Sequence, residues 1–380
     1  MTAMRRWGGW AVRVSVLLAV FLTAQPPSRL SAQDSQFGIK GLGTPGKPES
    51  VRARSAGGAF APFDPFSPLT DASLIDVRRI SASIAGGTSW RSLDPTGGPQ
   101  SALRATRFPA LVIAGPITSR IVVGGGFTTY LDRTFGIRLQ DTIDLRGVQQ
   151  PITDDITSDG AVTDLRLAAA VRLQKRIALG LGFHLLTGST RIVATRQFAD
   201  TANYRTSSVR DEVAYSGQGG SASLLIDVSR DLRVSGWLRS DSKLRADLSG
   251  RTVTENQLPV SYGAGVIWRA GGQASIAGTV NWGNWATADP ADSNAHDTFS
   301  WSVGAEIGSL GTPIRFGARG GQLAFGVGTT PTEVGYSAGI GRQFSGGRGR
   351  LDIGLERLER KGTGLKEGVW TFLIGLTVRP

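Results

Sequence analysis

Apolar side chains recur at every second position from Val77 to the end of the chain. A period of two is that of a β-strand whose two faces meet different surroundings. The last segment shows it clearly, with five large apolar residues on one face: Trp370, Phe372, Ile374, Leu376 and Val378. The same alternation recurs in three earlier segments, residues 164–173, 177–186 and 299–308. The chain is therefore predicted to be all-β.

The second face of these segments carries glycine, serine, alanine and isolated charges, which suit a crowded or wet interior. About 14 alternating segments can be counted, and tight turns such as 115–118 and 345–347 alternate with mostly longer polar connections such as 91–103 and 136–158. An even number of strands with short turns at one end is typical of outer-membrane barrels, where closure pairs both edges of every strand. We therefore predict a transmembrane antiparallel β-barrel over residues 77–380, located in the bacterial outer membrane with both chain ends on the periplasmic side.

The N-terminus has the pattern of a secretory signal peptide over residues 1–33. Arg5, Arg6 and Arg13 precede a short apolar run at 14–24, which is too short to span a bilayer as a helix. No other stretch approaches eighteen apolar residues. Residues 34–76 differ again, because they are rich in glycine, proline and serine and show no period of two. We predict an irregular segment there.

The formal net charge of the whole chain is +12, and removing the four arginines of residues 1–33 leaves +8. The basic residues are scattered through strands and turns, so nucleic-acid binding is not expected, and attraction to anionic lipid headgroups is favoured. The chain has no cysteine and only two histidines. Thiolate chemistry and a transition-metal site are therefore not expected, and we predict no cofactor, no metal and no enzymatic activity.

Nine charged residues fall on the predicted inward face, where a wet or paired charge costs little. They can select solutes, or they can form salt bridges that hold the barrel rigid, and the second interpretation is favoured. Aromatic residues on the strands are predicted to form girdles at the membrane interfaces, namely Trp90, Tyr130, Trp268, Trp282 and Trp301. The inward charges are Asp164, Arg166, Arg172, Arg233, Arg239, Glu306, Arg315, Arg319 and Glu356.

Three short stretches resemble the FadL-like family of outer-membrane transporters for hydrophobic compounds. They are 54–60 (RSAGGAF), 68–74 (PLTDASL) and the ending from 364–378. The resemblance implies that residues 34–76 form a hatch that plugs the periplasmic part of the lumen, with Phe60, Phe63 and Phe66 as its apolar surface. It also implies a lateral opening in the third strand. Gly124, Gly125 and Gly126 lie in that strand, and glycine weakens strand pairing and permits a bend.

The resemblance implies passive uptake of hydrophobic small molecules such as fatty acids by a monomer, whose partners are outer-membrane lipid and the ligand. Two alternatives remain open, a structural or accessory barrel that anchors a secretion partner and a general porin. A hydrophobic cleft beside the three phenylalanines favours the transporter. A fully plugged lumen with long, ordered outer loops favours the accessory barrel, and a wide lumen lined by the inward arginines favours the porin.

Overall fold

The computed structural model describes residues 37, 41–95, 101–288, 295–309, 311–326, 330–362 and 364–379. The predicted signal peptide lies outside these residues. The described residues form one antiparallel sheet with eighteen strands. The strands are β1 Thr44–Pro45, β2 Ser81–Pro95, β3 Ser101–Pro116, β4 Ile121–Asp132, β5 Phe135–Leu145, β6 Val148–Gln174, β7 Ile177–Phe198, β8 Ser207–Asp227, β9 Leu232–Asp241, β10 Lys243–Leu248, β11 Arg251–Gln257, β12 Val260–Ala270, β13 Ala274–Gly283, β14 Thr298–Ile307, β15 Ile314–Gln322, β16 Thr332–Phe344, β17 Gly349–Gly362 and β18 Leu365–Val378.

The sheet closes into a barrel of 14 strands. Each strand of the wall pairs with its neighbour in the chain, and closure is completed where β18 pairs with β2 from Leu365↔Pro95 to Val378↔Ala82. The short strands β5, β10 and β11 lie at the outer ends of wall strands, and β9 pairs with β12 to continue the wall past the β10–β11 hairpin. The predicted fold class is confirmed. The N-terminal strand β1 is not one of the 14 strands of the wall.

The exterior of the barrel is a belt of exposed apolar side chains, as an outer surface that faces lipid requires. Leu167 is 67% exposed and Leu181 57% exposed, although both belong to strands paired on both sides. Four of the five predicted girdle aromatics are exposed on this surface: Trp90, Trp268, Trp282 and Trp301. Tyr130 is the exception. Its hydroxyl donates to Asp241 Oδ2 at 2.9 Å inside the barrel, so its place in a girdle was predicted wrongly.

Helices are few and short. The α-helices are α1 Val51–Arg54 and α2 Trp285–Ala288, and the 3-10 helices are Ala61–Phe63, Asp71–Asp76 and Ser345–Gly347. Helix α1 begins where the side chain of Ser50 accepts a hydrogen bond from the backbone N–H of Ala53, which satisfies one free donor of the first turn. Among the described residues, no helix is long and apolar enough to cross a bilayer.

Residues 50–76 pack against the inner face of the wall, and glycine in the wall makes room for them. Five consecutive strands, β14 to β18, each present one glycine to the stretch from Val51 to Gly57. A Cβ on Gly317 would lie 2.2 Å from the carbonyl carbon of Ala56, which no real contact permits. The backbone of the segment therefore sits where side chains would otherwise be. The five glycines are Gly304, Gly317, Gly339, Gly354 and Gly375.

Two apolar clusters divide the interior along its axis. One lies towards the short turns and joins Phe60, Phe63 and Leu74 to wall residues such as Val122 and Ile267. The other lies towards the outer ends of the strands. It contains eleven buried residues, which are Leu42, Leu131, Val162, Leu186, Tyr215, Leu244, Ala246, Leu258, Trp285, Ala324 and Phe325. Charged residues of the wall lie between these two clusters.

Strands β5 to β8 extend beyond the rest of the wall. The connection 136–158, expected to be a loop, is instead a hairpin of β5 with the first part of β6, and β6 is 27 residues long. The connection 91–103 is likewise strand up to Pro95 and from Ser101. The hairpin turns at Arg146 and Gly147, both at positive φ, a conformation that matches the twist of two-residue hairpin turns.

The part of β5 to β8 that extends beyond the wall is called the outer sheet here, and its two faces differ in polarity. On the face continuous with the lumen, Ile137, Ile156, Ala194 and Val209 lie directly opposite one another across the four strands. The next row on the other face is polar, and in it Arg138 Nε donates to Asp155 Oδ1 at 2.6 Å. The face continuous with the lipid belt is thus polar above the membrane. The face towards the lumen is mixed, because the next row on it carries the ion pair of Arg196 with Asp154.

Candidate functional site

The wall is interrupted between β3 and β4. Strand β4 pairs with β3 only up to Thr128, which lies opposite Ala110. Beyond that point, the described part of β3 from Ser101 to Arg107 pairs with β2 alone. The pairing of β4 with β6 on its other side is irregular between Thr129 and Leu131. The outer halves of β3 and β4 therefore separate.

The N-terminal strand β1 occupies this separation. Thr44 and Pro45 lie opposite Asp132 and Leu131 of β4, and the N–H of Gly46 donates to the carbonyl of Tyr130 at 2.8 Å. Backbone groups of β4 that have lost β3 as a partner are satisfied in this way, as they must be at membrane depth. An ion pair between Arg107 of β3 and Asp132 of β4 also spans the gap.

The predicted lateral opening at Gly124, Gly125 and Gly126 lies next to this break but does not coincide with it. The tripeptide remains paired with β3 on one side and β6 on the other. The break begins three residues further along, at Thr129. The glycines instead make the outer surface concave, because they lack side chains between the exposed Ile113 and Leu167.

The interior contains a cavity of about 360 Å³ between the N-terminal segment and the outer apolar cluster. Leu69, Trp237 and Trp285 contribute apolar surface to its lining, and Arg239 and Asp164 contribute charge. A smaller cavity of about 110 Å³ lies behind the β3–β4 break, and its lining includes five basic and two acidic side chains. These are Lys47, Arg54, Arg91, Arg107, Arg360, Asp132 and Glu356.

The structure places eight of the nine predicted inward charges inside the barrel in ion pairs. Arg315 is fully buried, and its guanidinium lies 2.6 Å from Glu306 and 2.8 Å from Asp352. Arg172 differs, because it is half-buried near a short turn and donates to the carbonyl of Lys175. The remaining pairs are Asp164–Arg239, Arg166–Asp71, Arg233–Asp227 and Arg319–Glu356. This arrangement is the salt-bridged interior that the sequence analysis favoured.

We expect Arg315→Met to lower the free energy of unfolding by about 3 kcal/mol, since breaking a buried pair leaves carboxylates with fewer partners in a low dielectric. Glu306 would retain Arg52 and Asp352 would retain Arg350, which limits the loss. Urea unfolding in detergent, followed by tryptophan fluorescence, measures this loss in the free energy of unfolding. Arg138→Met is the matched control, because that side chain is 66% exposed and its pair should contribute less than about 1 kcal/mol. Equal losses of unfolding free energy in both variants would contradict a stabilising role for the buried ion pairs of Arg315.

The N-terminal segment is joined to the wall by ion pairs with several strands. Arg52 binds Glu306 of β14 in a bidentate pair, at 2.8 and 3.0 Å, and Arg54 binds Glu356 of β17 at 3.2 Å. Lys47 lies 3.0 Å from Glu333 of β16. Burial, together with the nearby charge of Arg319, lowers the pKa of Lys47 to about 8 despite these carboxylates. The segment is held by charge as well as by packing.

A serine, a histidine and an aspartate lie in line on the wall of the larger cavity. His184 Nδ1 is 2.9 Å from Asp164, and His184 Nε2 is 2.9 Å from Ser221 Oγ. The Ser221 hydroxyl, however, donates to Asp71 of the N-terminal segment at 2.6 Å. With its proton directed to this carboxylate, the Ser221 hydroxyl is not activated by His184 as a base. The group therefore joins segment to wall and is not a nucleophile site.

The three predicted ligand-binding phenylalanines are buried. Phe60 and Phe63 belong to the apolar cluster near the short turns, and the ring of Phe63 lies close to Gly265 of β12. Phe66 is 8% exposed and lies at the end of the barrel that carries the short turns. None of the three is among the residues lining the 360 Å³ cavity, so the structure does not bring them together with the glycine tripeptide. Their role in binding stays a prediction.

The described residues contain no group of three or more metal-ligating side chains. His296, the second histidine, lies 3.2 Å through Nε2 from the carbonyl of Gly326, and the acidic residues 289 and 292 near it in sequence lie outside the described residues. Sequence reasoning placed an opening in the correct strand but missed the position of the break at Thr129 and the gap-filling strand β1. Residues 44–46 show no alternation that would indicate a strand.

Comparison with solved structures reveals the same architecture. A Pseudomonas aeruginosa FadL homologue superimposes with a TM-score of 0.63 at 13% identity, covering 88% of this chain and 99% of that one. The chain has the FadL-like fold. The Ralstonia pickettii toluene transporter TbuX gives a TM-score of 0.58 at 14% identity, with 87% and 98% covered. The P. putida toluene transporter TodX gives 0.58 at 11%, with 89% and 99% covered.

No family model and no curated protein matches the sequence. At 11–14% identity to these FadL-like structures, the agreement concerns the fold. It confirms the resemblance inferred from the short stretches of sequence, and the neighbours named here are channels or transporters.

Proposed function

We propose that this protein is a bacterial outer-membrane channel for passive uptake of hydrophobic small molecules such as fatty acids. It would act as a monomer, without cofactor or catalysis. The observation that supports this most directly is the interruption between β3 and β4 behind an exposed apolar belt. A hydrophobic molecule that leaves the interior there enters lipid directly and does not have to displace residues 50–76 from the wall.

Residues 34–76 would act as the plug of this channel. The ion pairs of Arg52 and Arg54 and the close approach of Ala56 to the wall glycines support that role. Because the segment is held at several strands, only its β1 end needs to move when the gap opens. The two residues of β1 and the ion pair of Arg107 with Asp132 are the barriers at that point.

An apolar row on the lumen side of the outer sheet would collect the ligand. Its row of Ile137, Ile156, Ala194 and Val209 offers hydrocarbon surface on the side where the ligand enters. Below it, the cavity of about 360 Å³ combines Trp237 and Trp285 with charged groups, which suits an amphiphile. A general porin is disfavoured by the paired interior charges and the buried segment.

The accessory barrel remains the second candidate, because β5 to β8 form a long, ordered outer sheet and β5 pairs with β6 alone among the described strands. An exposed strand edge of this kind can accept a strand from a partner. Uptake measurements separate the two functions.

Expression in cells with a lipopolysaccharide-containing outer membrane should raise the uptake rate of labelled laurate or toluene several-fold over vector. The reason is that lipopolysaccharide excludes such solutes and the channel bypasses it. Sugar permeation in a liposome-swelling assay should remain at the level of protein-free liposomes. Passage of sugars without any gain in laurate or toluene would refute the proposal, and no gain for any solute would favour the accessory barrel.

A further inference from the structure

The positive charge of the protein is concentrated at the end of the barrel that carries the short turns. Two acidic residues of this rim, Asp76 and Asp227, are both held by Arg233. Eleven further basic residues of the rim form no ion pair with a carboxylate of the described residues. They are Arg78, Arg79, Arg120, Arg172, Lys175, Arg176, Arg230, Arg269, Arg342, Arg348 and Arg379.

The basic side chains of this rim outnumber its acidic ones by a wide margin. Like charges at this density repel one another unless an anion lies among them. Eight of the eleven side chains are exposed, including Arg79 and Arg120. The rim is therefore built to face an anionic surface.

An apolar groove on the outside of the barrel leads to this rim. Its floor is the glycine tripeptide with Ala169, and the exposed side chains of Ile113, Leu167 and Phe183 form its sides. The groove encloses about 1020 Å³ and is open to the surrounding lipid. A surface depression in a lipid-facing wall must be filled by hydrocarbon, because neither water nor an empty space is stable there.

The lower end of the groove lies beside two exposed arginines. Ile80 and Ile117, which are 64% and 65% exposed, line that end. Arg79 directly precedes Ile80, and Arg120 belongs to the same turn as Ile117. Arg172 of the neighbouring strand is not part of this pair, because it lies opposite the buried Ala178 and faces the lumen. A chain-sized apolar groove thus ends beside two cations that have no carboxylate partner among the described residues.

We propose that this groove and its basic end form a binding site for an anionic phospholipid of the periplasmic leaflet. An acyl chain occupies the groove over Gly125, and the phosphate with its anionic headgroup is bound by Arg79 and Arg120. A zwitterionic lipid offers the same hydrocarbon but no net charge to balance the rim. The site does not depend on the proposed uptake function, because it needs only a barrel that spans the membrane.

Native mass spectrometry of the mature protein in nonionic detergent tests the proposal. The probes are phosphatidylglycerol and phosphatidylcholine with identical acyl chains. The wild-type protein should retain phosphatidylglycerol in preference to phosphatidylcholine. Each basic side chain near a lipid surface changes anionic-lipid affinity about fivefold. The double variant Arg79→Gln/Arg120→Gln should therefore bind phosphatidylglycerol at least about tenfold more weakly, with phosphatidylcholine binding unchanged.

Two further variants complete the test. Ala169→Phe fills the groove and should reduce retention of both lipids. Arg205→Gln/Arg210→Gln removes the same charge from exposed positions at the opposite end of the barrel and should leave both affinities unchanged. Equal binding of the two lipids by the wild-type protein would overturn the proposal. An equal loss of phosphatidylglycerol binding in the two double variants would also overturn it, since that result would show an effect of net charge without a specific site. Heat-modified mobility in gels verifies that each variant is folded.

Discussion

Gly317→Leu is expected to release the N-terminal segment from the wall and to raise the ion conductance of the barrel in planar bilayers several-fold. A Cβ at this position would meet the backbone of Ala56 at 2.2 Å, and backbone cannot yield locally as the end of a flexible side chain does. The wall itself is held by pairing on both sides of β15. The segment is therefore what moves.

Gly236→Leu is the matched control, because the nearest atom to its new Cβ lies 3.9 Å away and the residue faces outwards. Its conductance should equal that of the wild-type protein. A second measurement is cleavage by trypsin after Arg52 and Arg54, which are held in ion pairs inside the barrel. Unchanged conductance together with unchanged resistance to trypsin in Gly317→Leu would show that the segment does not depend on this close approach.

A disulfide between positions 44 and 132 should reduce laurate uptake to the level of cells without the protein. The variant Thr44→Cys/Asp132→Cys joins residues that lie directly opposite in β1 and β4, a geometry that a disulfide can span. The chain has no other cysteine, so the bond formed is unambiguous. If molecules leave between β3 and β4, fixing β1 in place closes that route, and reduction should restore uptake.

Ser83→Cys/Thr377→Cys serves as the control, because these hydroxyls lie 3.0 Å apart and join β2 to β18 where the wall is continuous. That disulfide should leave uptake unchanged. Oxidised and reduced forms of the same protein are compared, so the loss of the ion pair between Arg107 and Asp132 affects both equally. Full uptake with the 44–132 bond closed would contradict passage through the gap.

The wall of the barrel could be predicted from the sequence because its signal is local. Every second side chain meets lipid, so parity alone places Asp164, Arg233 and Glu356 inside and Trp370 outside. The structure agrees in each case. Tyr130 shows where this fails. A tyrosine near the end of a strand fits a girdle equally well, and only the irregular pairing between Thr129 and Leu131 turns it towards Asp241.

The outer sheet was missed because its composition is polar on one face and its length is unusual for a connection. A sequence signal did exist, since Phe135, Ile137 and Leu139 alternate and Arg146-Gly147 is a suitable hairpin turn. The break between β3 and β4 had no such signal. Whether two strands stay paired depends on what else can satisfy their backbone, and here the partner comes from residues 44–46, about ninety positions away.

Strand β1 lies only a few residues before helix α1, and Lys47 between them is paired with Glu333 across the barrel. Five residues, 46–50, separate the strand that fills the gap from the helix that is ion-paired inside the barrel. Any displacement of β1 must be taken up within these five residues, and Lys47 is the ion-paired residue nearest to β1. The side wall can therefore open at β1 while the ion pairs of Arg52 and Arg54 stay closed.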